Sequence, residues 1–121
     1  MRPFRRYYFG AIPDRGVFEM STFIMVTRLD SDAAGSPRAF ERLEKSTMTA
    51  VRANCPDVEW LSSYVALGPY DYVDIFRAAD NDTATKVAAL VRACGHAHAE
   101  VWPATEWSHF KEMMRGIPAA A

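Results

Sequence analysis

Four short segments of the chain are rich in β-branched and aromatic residues, are bounded by turn formers, and mostly alternate apolar with polar positions. This pattern is typical of half-buried β-strands. We therefore predict strands at residues 22–28, 58–67, 70–78 and 96–101. Gly68-Pro69 is predicted to form a tight turn between the second and third strands.

Three other segments repeat apolar residues every three or four positions, which predicts helices at residues 37–54, 83–94 and 105–116. Residues suited to N-capping stand at their starts: Ser36, Asn81-Asp82 and Thr105. Pro37 occupies the first helical position, where its missing N–H costs nothing. Gly95 is predicted to end the second helix in a left-handed conformation.

The predicted order is β-α-β-β-α-β followed by a short C-terminal helix. Two interleaved β-α-β crossovers produce a four-stranded antiparallel sheet with both helices on one face, which is the ferredoxin-like α+β arrangement. The other sheet face is then uncovered. Strand alternation predicts an aromatic and polar set on this face: Trp60, Ser62, Tyr64, Ala66, Tyr70, Tyr72, Asp74, Phe76, His96, His98, Glu100 and Trp102.

So much exposed aromatic surface would be unusual for a monomer, whereas interfaces are enriched in Tyr, Trp and Phe. We therefore expect a homodimer, or a higher homo-oligomer, that pairs the uncovered faces. The length of 121 residues and half-apolar composition predict one domain, at residues 21–116. Residues 1–20 are expected to be a poorly ordered leader, with Met20 as an alternative start, and residues 117–121 a frayed tail.

The net charge of −1 argues against a nucleic-acid partner, and no segment is apolar enough for a membrane span. Cys55 and Cys94 form neither a disulfide framework nor a zinc motif, so we expect reduced thiols in a cytoplasmic protein. Phosphate loops and nucleophile elbows are absent from the sequence. No cofactor is predicted.

The segment around LGPYDYVDIFRAADND resembles the GYD-domain family of small bacterial proteins. The matching positions are Gly68, Tyr70, Asp71, Asp80, Gly95, Glu100 and Ala104, and the resemblance covers residues 23–106. It implies a dimeric α+β barrel and no particular reaction. The chain departs from the family pattern at Asp74, where an aliphatic residue is typical, and at Arg77, where an acidic residue is usual.

Asp74 is the principal candidate for chemistry. An interfacial carboxylate must be paired or protonated, and His98 and Arg77 are its expected partners. A carboxyl group of raised pKa beside a histidine suits general acid–base catalysis. The simpler alternative is a hydrogen-bonded interface pair. Tyr70 is a further catalytic candidate, although a structural role for Tyr70 and Asp71 is favoured, with Asp71 accepting backbone N–H groups.

His96, His98 and Glu100 share one strand face and join Tyr70, Asp71 and Asp74 as candidate ligand-binding residues. A straight strand places His96 and Glu100 about 13 Å apart, too far to bind one ion together. No metal is therefore predicted, and pairing with each other or with tyrosine hydroxyls is the favoured alternative.

Three functions remain open. The first is a homodimeric small-molecule-binding protein with a cleft between sheet and helices. The second is a cofactor-independent oxygenase or isomerase of the dimeric α+β barrel type, by analogy of fold alone. The third is an assembly module for a partner protein.

Overall fold

A computed structural model describes residues 20–30, 35–95 and 97–119. Within these residues the elements are β1 (Ser21–Leu29), α1 (Pro37–Asn54), β2 (Glu59–Val65), β3 (Tyr72–Ala78), α2 (Asn81–Gly95), β4 (Ala97–Ala104) and α3 (Trp107–Arg115). The predicted element order is confirmed. The leader up to residue 19 and the candidate residue His96 lie outside the described residues.

The strands of the described part form one sheet in the order β2-β3-β1-β4, with all neighbours antiparallel. β1 lies in the centre, with Phe23 opposite Phe76 on β3 and Pro103 on β4. This topology is the predicted ferredoxin-like α+β fold. We call the sheet side that packs against α1 and α2 the helix face, and the opposite side the open face.

The hydrophobic core lies between the helix face and the two helices. Phe76 is stacked between Phe23 and Trp60, with ring centroids 5.6 and 5.1 Å away. The buried residues around them come from the sheet, both helices and the end of α1: Phe23, Met25, Val51, Cys55, Phe76, Ala78, Ala84, Val87, Val91 and Ala99.

This core corrects the predicted strand faces. Trp60, Tyr72, Asp74 and Phe76 were expected on the uncovered face, but the register and the Phe76 stack place them on the helix face. Val73 and Ile75 consequently lie on the open face. Both faces of β3 carry apolar residues, so the alternation of the strand fits either orientation, and the predicted orientation is wrong.

In β2 a bulge between Trp60 and Ser62 adds Leu61 to the strand and reverses the alternation beyond it. Ser62 and Tyr64 therefore lie on the open face, as predicted, although Trp60 does not. The bulge also places Ser63 opposite Asp74, on the helix face. This pairing has consequences for the candidate site.

The start of α1 follows the prediction, since Ser36 Oγ accepts a hydrogen bond from Ala39 N at 3.1 Å. The start of α2 does not. Asp80, rather than Asn81-Asp82, supplies the cap, because its Oδ1 accepts hydrogen bonds from the backbone N (2.8 Å) and Oγ1 (2.7 Å) of Thr83. An aspartate can thus cap from one position earlier than the sequence pattern indicated.

Gly95 does not end α2 in a left-handed conformation as predicted. It lies buried in the last turn of the helix, where an added Cβ would be 3.2 Å from Thr47 Oγ1. A side chain at this position would need Thr47 to shift by a few tenths of an ångström, so the close approach of α2 to α1 favours glycine here. Backbone handedness plays no part at this position.

The connection between β2 and β3 is longer than the predicted two-residue turn. It covers residues 66–71 and is closed by a hydrogen bond from Ala66 N to Asp71 O at 2.9 Å. Tyr70 and Asp71 therefore lie just before β3 and not inside it. β2 is also shorter than predicted at both ends, and β4 extends to Ala104.

The C-terminal helix α3 begins later than predicted, with Glu106 instead of Thr105 at the N-cap position. No residue of α3 is buried. Trp107 and Phe110 contact one another on its exposed apolar side, with centroids 5.2 Å apart. None of the described helices is long and apolar enough to cross a membrane.

Candidate functional site

Two polar clusters lie on opposite faces of the sheet. The Asp74 cluster, on the helix face, consists of Asp74, Ser63 and Trp60. The Glu100 cluster, on the open face, consists of Glu100, His98, Tyr70, Trp102 and Arg28. The sheet therefore separates Asp74 from the other two catalytic candidates, His98 and Tyr70.

In the Asp74 cluster one carboxyl oxygen receives two hydrogen bonds. Asp74 Oδ1 accepts from Ser63 Oγ at 2.6 Å and from Trp60 Nε1 at 3.2 Å. Trp60 Nε1 also donates to Ser63 Oγ at 3.0 Å, so the three side chains form a closed triangle. Both bonds to Asp74 end on Oδ1, and Oδ2 accepts none from the described residues.

The environment of Asp74 favours its neutral form. Burial is the main cause of a raised Asp74 pKa, and the charge of Glu44 on α1 raises it further. The hydrogen bonds from Ser63 and Trp60 lower the pKa without offsetting burial. Asp74 is therefore a carboxylic acid that keeps its proton to a higher pH than an ordinary aspartate does.

Aromatic rings border this carboxyl group on the helix face. Trp60 stacks on Phe76 in the core, at an interplanar angle of 14°. On the side toward α1, Phe40 contacts Tyr72 with ring centroids 5.7 Å apart. Burial raises the pKa of Tyr72, and the charge of Asp71 adds to the rise. This part of the helix face thus combines aromatic side chains with one carboxyl group that can donate or accept a proton.

In the Glu100 cluster a single carboxylate receives three side-chain donors. Tyr70 Oη and His98 Nε2 each lie 2.9 Å from Glu100 Oε2, and Trp102 Nε1 donates to Oε1 at 3.2 Å. Tyr70 also contacts Trp102 edge-to-face, with centroids 6.5 Å apart. The guanidinium of Arg28 lies 5.6 Å from the Tyr70 ring centroid.

These donors hold Glu100 in its ionised form. The hydrogen bond from His98 is the largest cause of a lowered Glu100 pKa, followed by those from Tyr70 and Trp102. The hydrogen bond between Tyr70 and Glu100 also raises the pKa of Tyr70, because the phenol donates its proton to an anion. The favoured sequence interpretation, in which His98 and Glu100 pair with each other and with a tyrosine hydroxyl, agrees with this geometry.

The predicted partners of Asp74 are wrong. His98 pairs with Glu100, and Arg77 pairs with Glu106 at 2.8 Å, both on the open face. Sequence reasoning missed Ser63 and Trp60 as the partners of Asp74. Ser63 could have been found only from the register of β2 against β3, which depends on the bulge at Leu61.

Asp71 makes the backbone contact that its sequence position suggested. Its Oδ2 accepts a hydrogen bond from Leu29 N at 2.8 Å, and its own N–H donates to Thr27 O at 2.7 Å. These bonds tie the loop before β3 to the end of β1. Asp71 therefore holds the loop against the end of β1. Among the described residues it makes no hydrogen bond to either polar cluster.

The two cysteines and the possible metal ligands are the remaining candidates for chemistry in the described residues. Burial raises the pKa of Cys55, which keeps this thiol protonated. Neither Cys55 nor Cys94 is in a disulfide. No group of three or more His, Cys, Asp or Glu residues is placed to hold a metal ion in the part of the chain that the structure describes.

The family model of the GYD domain matches residues 23–114, which is most of the chain. The chain belongs to the GYD-domain family. This confirms the resemblance based on Gly68, Tyr70, Asp71 and the other matching positions.

The other comparisons are weaker. No curated protein matches the chain. A solved structure that resembles it is the leucine response regulatory protein (LrpA) of Mycobacterium tuberculosis, with a TM-score of 0.45 and 20% sequence identity. The match covers 72% of this chain and 51% of that chain, so this chain spans about half the length of the regulator. At that similarity the match supports no conclusion about function.

Proposed function

We propose that this chain is a homodimeric small-molecule-binding protein whose ligand lies between the sheet and α1, beside Asp74. The observation that supports this proposal is the hydrogen bonding of Asp74. Its carboxyl group is half-buried, accepts both of its hydrogen bonds from the described residues through Oδ1, and so leaves Oδ2 to a ligand. Small-molecule sites typically combine apolar and aromatic walls with a few converging polar groups.

The surroundings of Asp74 favour a particular ligand chemistry. Phe40, Tyr72 and Trp60 offer ring surfaces, which suit a planar apolar compound. Because burial opposes charge of either sign and Glu44 opposes a further anion, the ligand is expected to be uncharged. A carbonyl or hydroxyl group on such a compound would hydrogen-bond to Asp74 Oδ2.

Exposed apolar residues of the open face support the homodimer. Tyr64 and Trp102 keep 60% and 44% of their surface exposed, and Ile24, Val73 and Ile75 lie between them on the central strands, half-buried. Contact with a second copy of the chain would remove this apolar surface from water. A bacterial cytoplasm is the proposed location, since Cys55 and Cys94 are free thiols.

The raised pKa of Asp74 also favours a second candidate function. A protonated carboxyl group in an apolar cleft can act as a general acid and, once ionised, as a general base. The corresponding activity would be that of a cofactor-independent isomerase or oxygenase. Asp74 would carry the proton without help from His98 or Tyr70 of the same chain, because those side chains lie on the other face.

The indole N–H groups test the binding proposal by NMR, because they report on different surfaces. Trp60 belongs to the Asp74 cluster, whereas Trp102 lies on the open face and Trp107 on α3. A screen of neutral aromatic fragments against the ¹⁵N-labelled protein is expected to shift the Trp60 signal selectively. In the Asp74→Ala variant the same fragments should bind at least about tenfold more weakly, for the loss of roughly 1.4 kcal/mol. Hits that shift only Trp102 and Trp107 would contradict the proposed site.

A further inference from the structure

The strongest unexplained feature of the molecule is the apolar side of α3. Its large residues remain exposed along one stripe, with Trp107 at 68%, Met113 at 52% and Met114 at 47%. Phe110 belongs to the same stripe, at 38%, and Ile117, two residues beyond the end of α3, extends it at 58%. No residue of the helix is buried against its own domain. A helix with one apolar side normally packs that side against another surface.

The start of α3 is held toward the open face. Arg77 lies at the end of β3 and points to that face, and its Nη2 contacts Glu106 Oε2, at the helix N-cap, at 2.8 Å. Despite this anchor, α3 does not cover the open face of its own chain, because Trp102 and Tyr64 stay exposed. The chain therefore has two unpartnered apolar surfaces, one on α3 and one on the sheet.

We propose that α3 is an arm whose apolar stripe packs on the open sheet face of a second copy of this chain. The inference rests on the proposed homodimer and adds the contact that holds it together. In a two-fold dimer the arm of each copy meets the sheet face of the other, so the arm–face contact forms twice. Such an exchange covers both unpartnered surfaces with one symmetric arrangement.

The area of the stripe supports a second copy as the occupant. At the exposures given above, its five side chains offer on the order of 500 Å² of apolar surface per chain. Two arms, with the equal areas that they cover on the partner faces, bury about 2,000 Å², the size of a stable specific interface. A single exposed patch of this size is at the upper limit for a monomer.

The arm also completes the Glu100 cluster. His98 and Glu100 keep 45% and 37% of their side chains exposed, so water reaches the contact between them. Apolar residues of the partner's arm lying over Trp102 would exclude that water. The three hydrogen bonds to Glu100 satisfy it and make its burial tolerable.

The first test is analytical ultracentrifugation of the full chain and two α3 variants. Phe110→Asp with Met113→Asp places two negative charges on the stripe. Ser108→Asp with Lys111→Asp places two aspartates on the polar side and lowers the net charge further, so it controls for the effect of charge alone. The stripe variant is expected to raise the dimer dissociation constant roughly 100-fold or more, and the control less than about fivefold. Circular dichroism melting checks that both variants retain the folded domain.

The outcomes separate the two proposals. A wild-type chain that is monomeric at micromolar concentration overturns both the homodimer and the arm. A wild-type dimer that the stripe substitutions leave unchanged overturns the arm while the homodimer stands. A dimer that both variants weaken equally also overturns the arm, because the effect then follows charge and not the stripe.

A mixing experiment tests whether the arm acts between chains. Trp102→Asp damages the open face and leaves the arm intact, whereas the stripe variant damages the arm and leaves the face intact. The two variants together can form one intact arm–face contact, which neither forms alone. The mixture is therefore expected to associate at least about tenfold more tightly than either variant. A mixture that associates no better than its components overturns the exchange of arms.

Discussion

The Tyr70 hydroxyl donates a 2.9 Å hydrogen bond to Glu100 Oε2 and so joins the loop before β3 to strand β4. The two strands are not neighbours, since β1 lies between them. The contact therefore crosses β1 on the open face, with Arg28 of β1 against the Tyr70 ring. Two positions that match the GYD-domain pattern thus contact each other through their side chains.

Tyr70→Phe is expected to raise the pKa of Glu100, because it removes one of the hydrogen bonds that lower it. A depressed carboxyl pKa stabilises the fold above the unfolded-state pKa, and this stabilisation is lost as the pH falls through the folded-state pKa. The variant should consequently be less sensitive to acid between those two values. Carbon-13 NMR titration of the Glu100 carboxyl measures the shift. A Glu100 pKa that does not move would contradict the contact.

Asp74 has the opposite dependence on pH. Its raised pKa means that the stabilisation is complete below the unfolded-state pKa and is lost as the pH rises through the folded-state pKa. Asp74→Asn keeps an oxygen that can accept from Ser63 and Trp60 and has no proton to lose. We therefore expect the free energy of unfolding of this variant not to fall as the pH rises through the folded-state pKa of Asp74. Urea unfolding from pH 4 to 9 measures this.

Asp74→Ala serves as the contrasting substitution at the same position. It leaves the Trp60 indole and the Ser63 hydroxyl without their shared acceptor. The expected loss is about 1–3 kcal/mol in the free energy of unfolding at pH 6. Equal stability of the alanine and asparagine variants would show that the triangle of hydrogen bonds contributes nothing.

The assignment of β3 faces is tested by a pair of alanine substitutions. Phe76 is fully buried between Phe23 and Trp60, so Phe76→Ala should cost about 3–5 kcal/mol in unfolding free energy. Val73→Ala, on the open face, should cost the isolated chain less than about 1.5 kcal/mol. Denaturation at a protein concentration where the chain is monomeric separates folding from association. A larger loss for Val73→Ala than for Phe76→Ala would instead place Val73 on the helix face and Phe76 on the open face.

Gly95→Ala tests the close approach of α2 to α1. Alanine favours a helix over glycine by up to about 1 kcal/mol, but its Cβ would be 3.2 Å from Thr47 Oγ1. We expect Gly95→Ala to be neutral or destabilising in the wild-type chain and stabilising in a Thr47→Ala background. A double-mutant cycle measures the coupling, and additive effects would contradict the contact.

Element order and fold class were predictable from the sequence because helix and strand periodicity differ clearly along this chain. The faces of β3 were not, because Val73 and Ile75 are as apolar as Tyr72 and Phe76. Only pairing with Phe23 and packing under α2 decide between the two phases. In β2 the bulge at Leu61 changed the phase within one strand.

The candidate site was predictable in its residues but not in their partners. The sequence indicates Asp74 as a departure from the family pattern. It also predicts that the polar residues Tyr70, His98 and Glu100 share one surface. The partners of Asp74 depend on strand register, which has no signature in a single sequence. Because Asp74 lies on the helix face and His98 on the open face, the expected pair between them does not form. Asp74 accepts a hydrogen bond from Ser63 on the neighbouring strand instead.

Native mass spectrometry of the protein purified from its host reports the number of subunits and any bound small molecule in one measurement. If Asp74 binds the ligand of a homodimer, the wild-type protein is a dimer that carries an uncharged compound, and the Asp74→Ala dimer has lost most of it. A wild-type protein that is monomeric, or a dimer that is empty or that retains its compound without Asp74, would contradict this proposal.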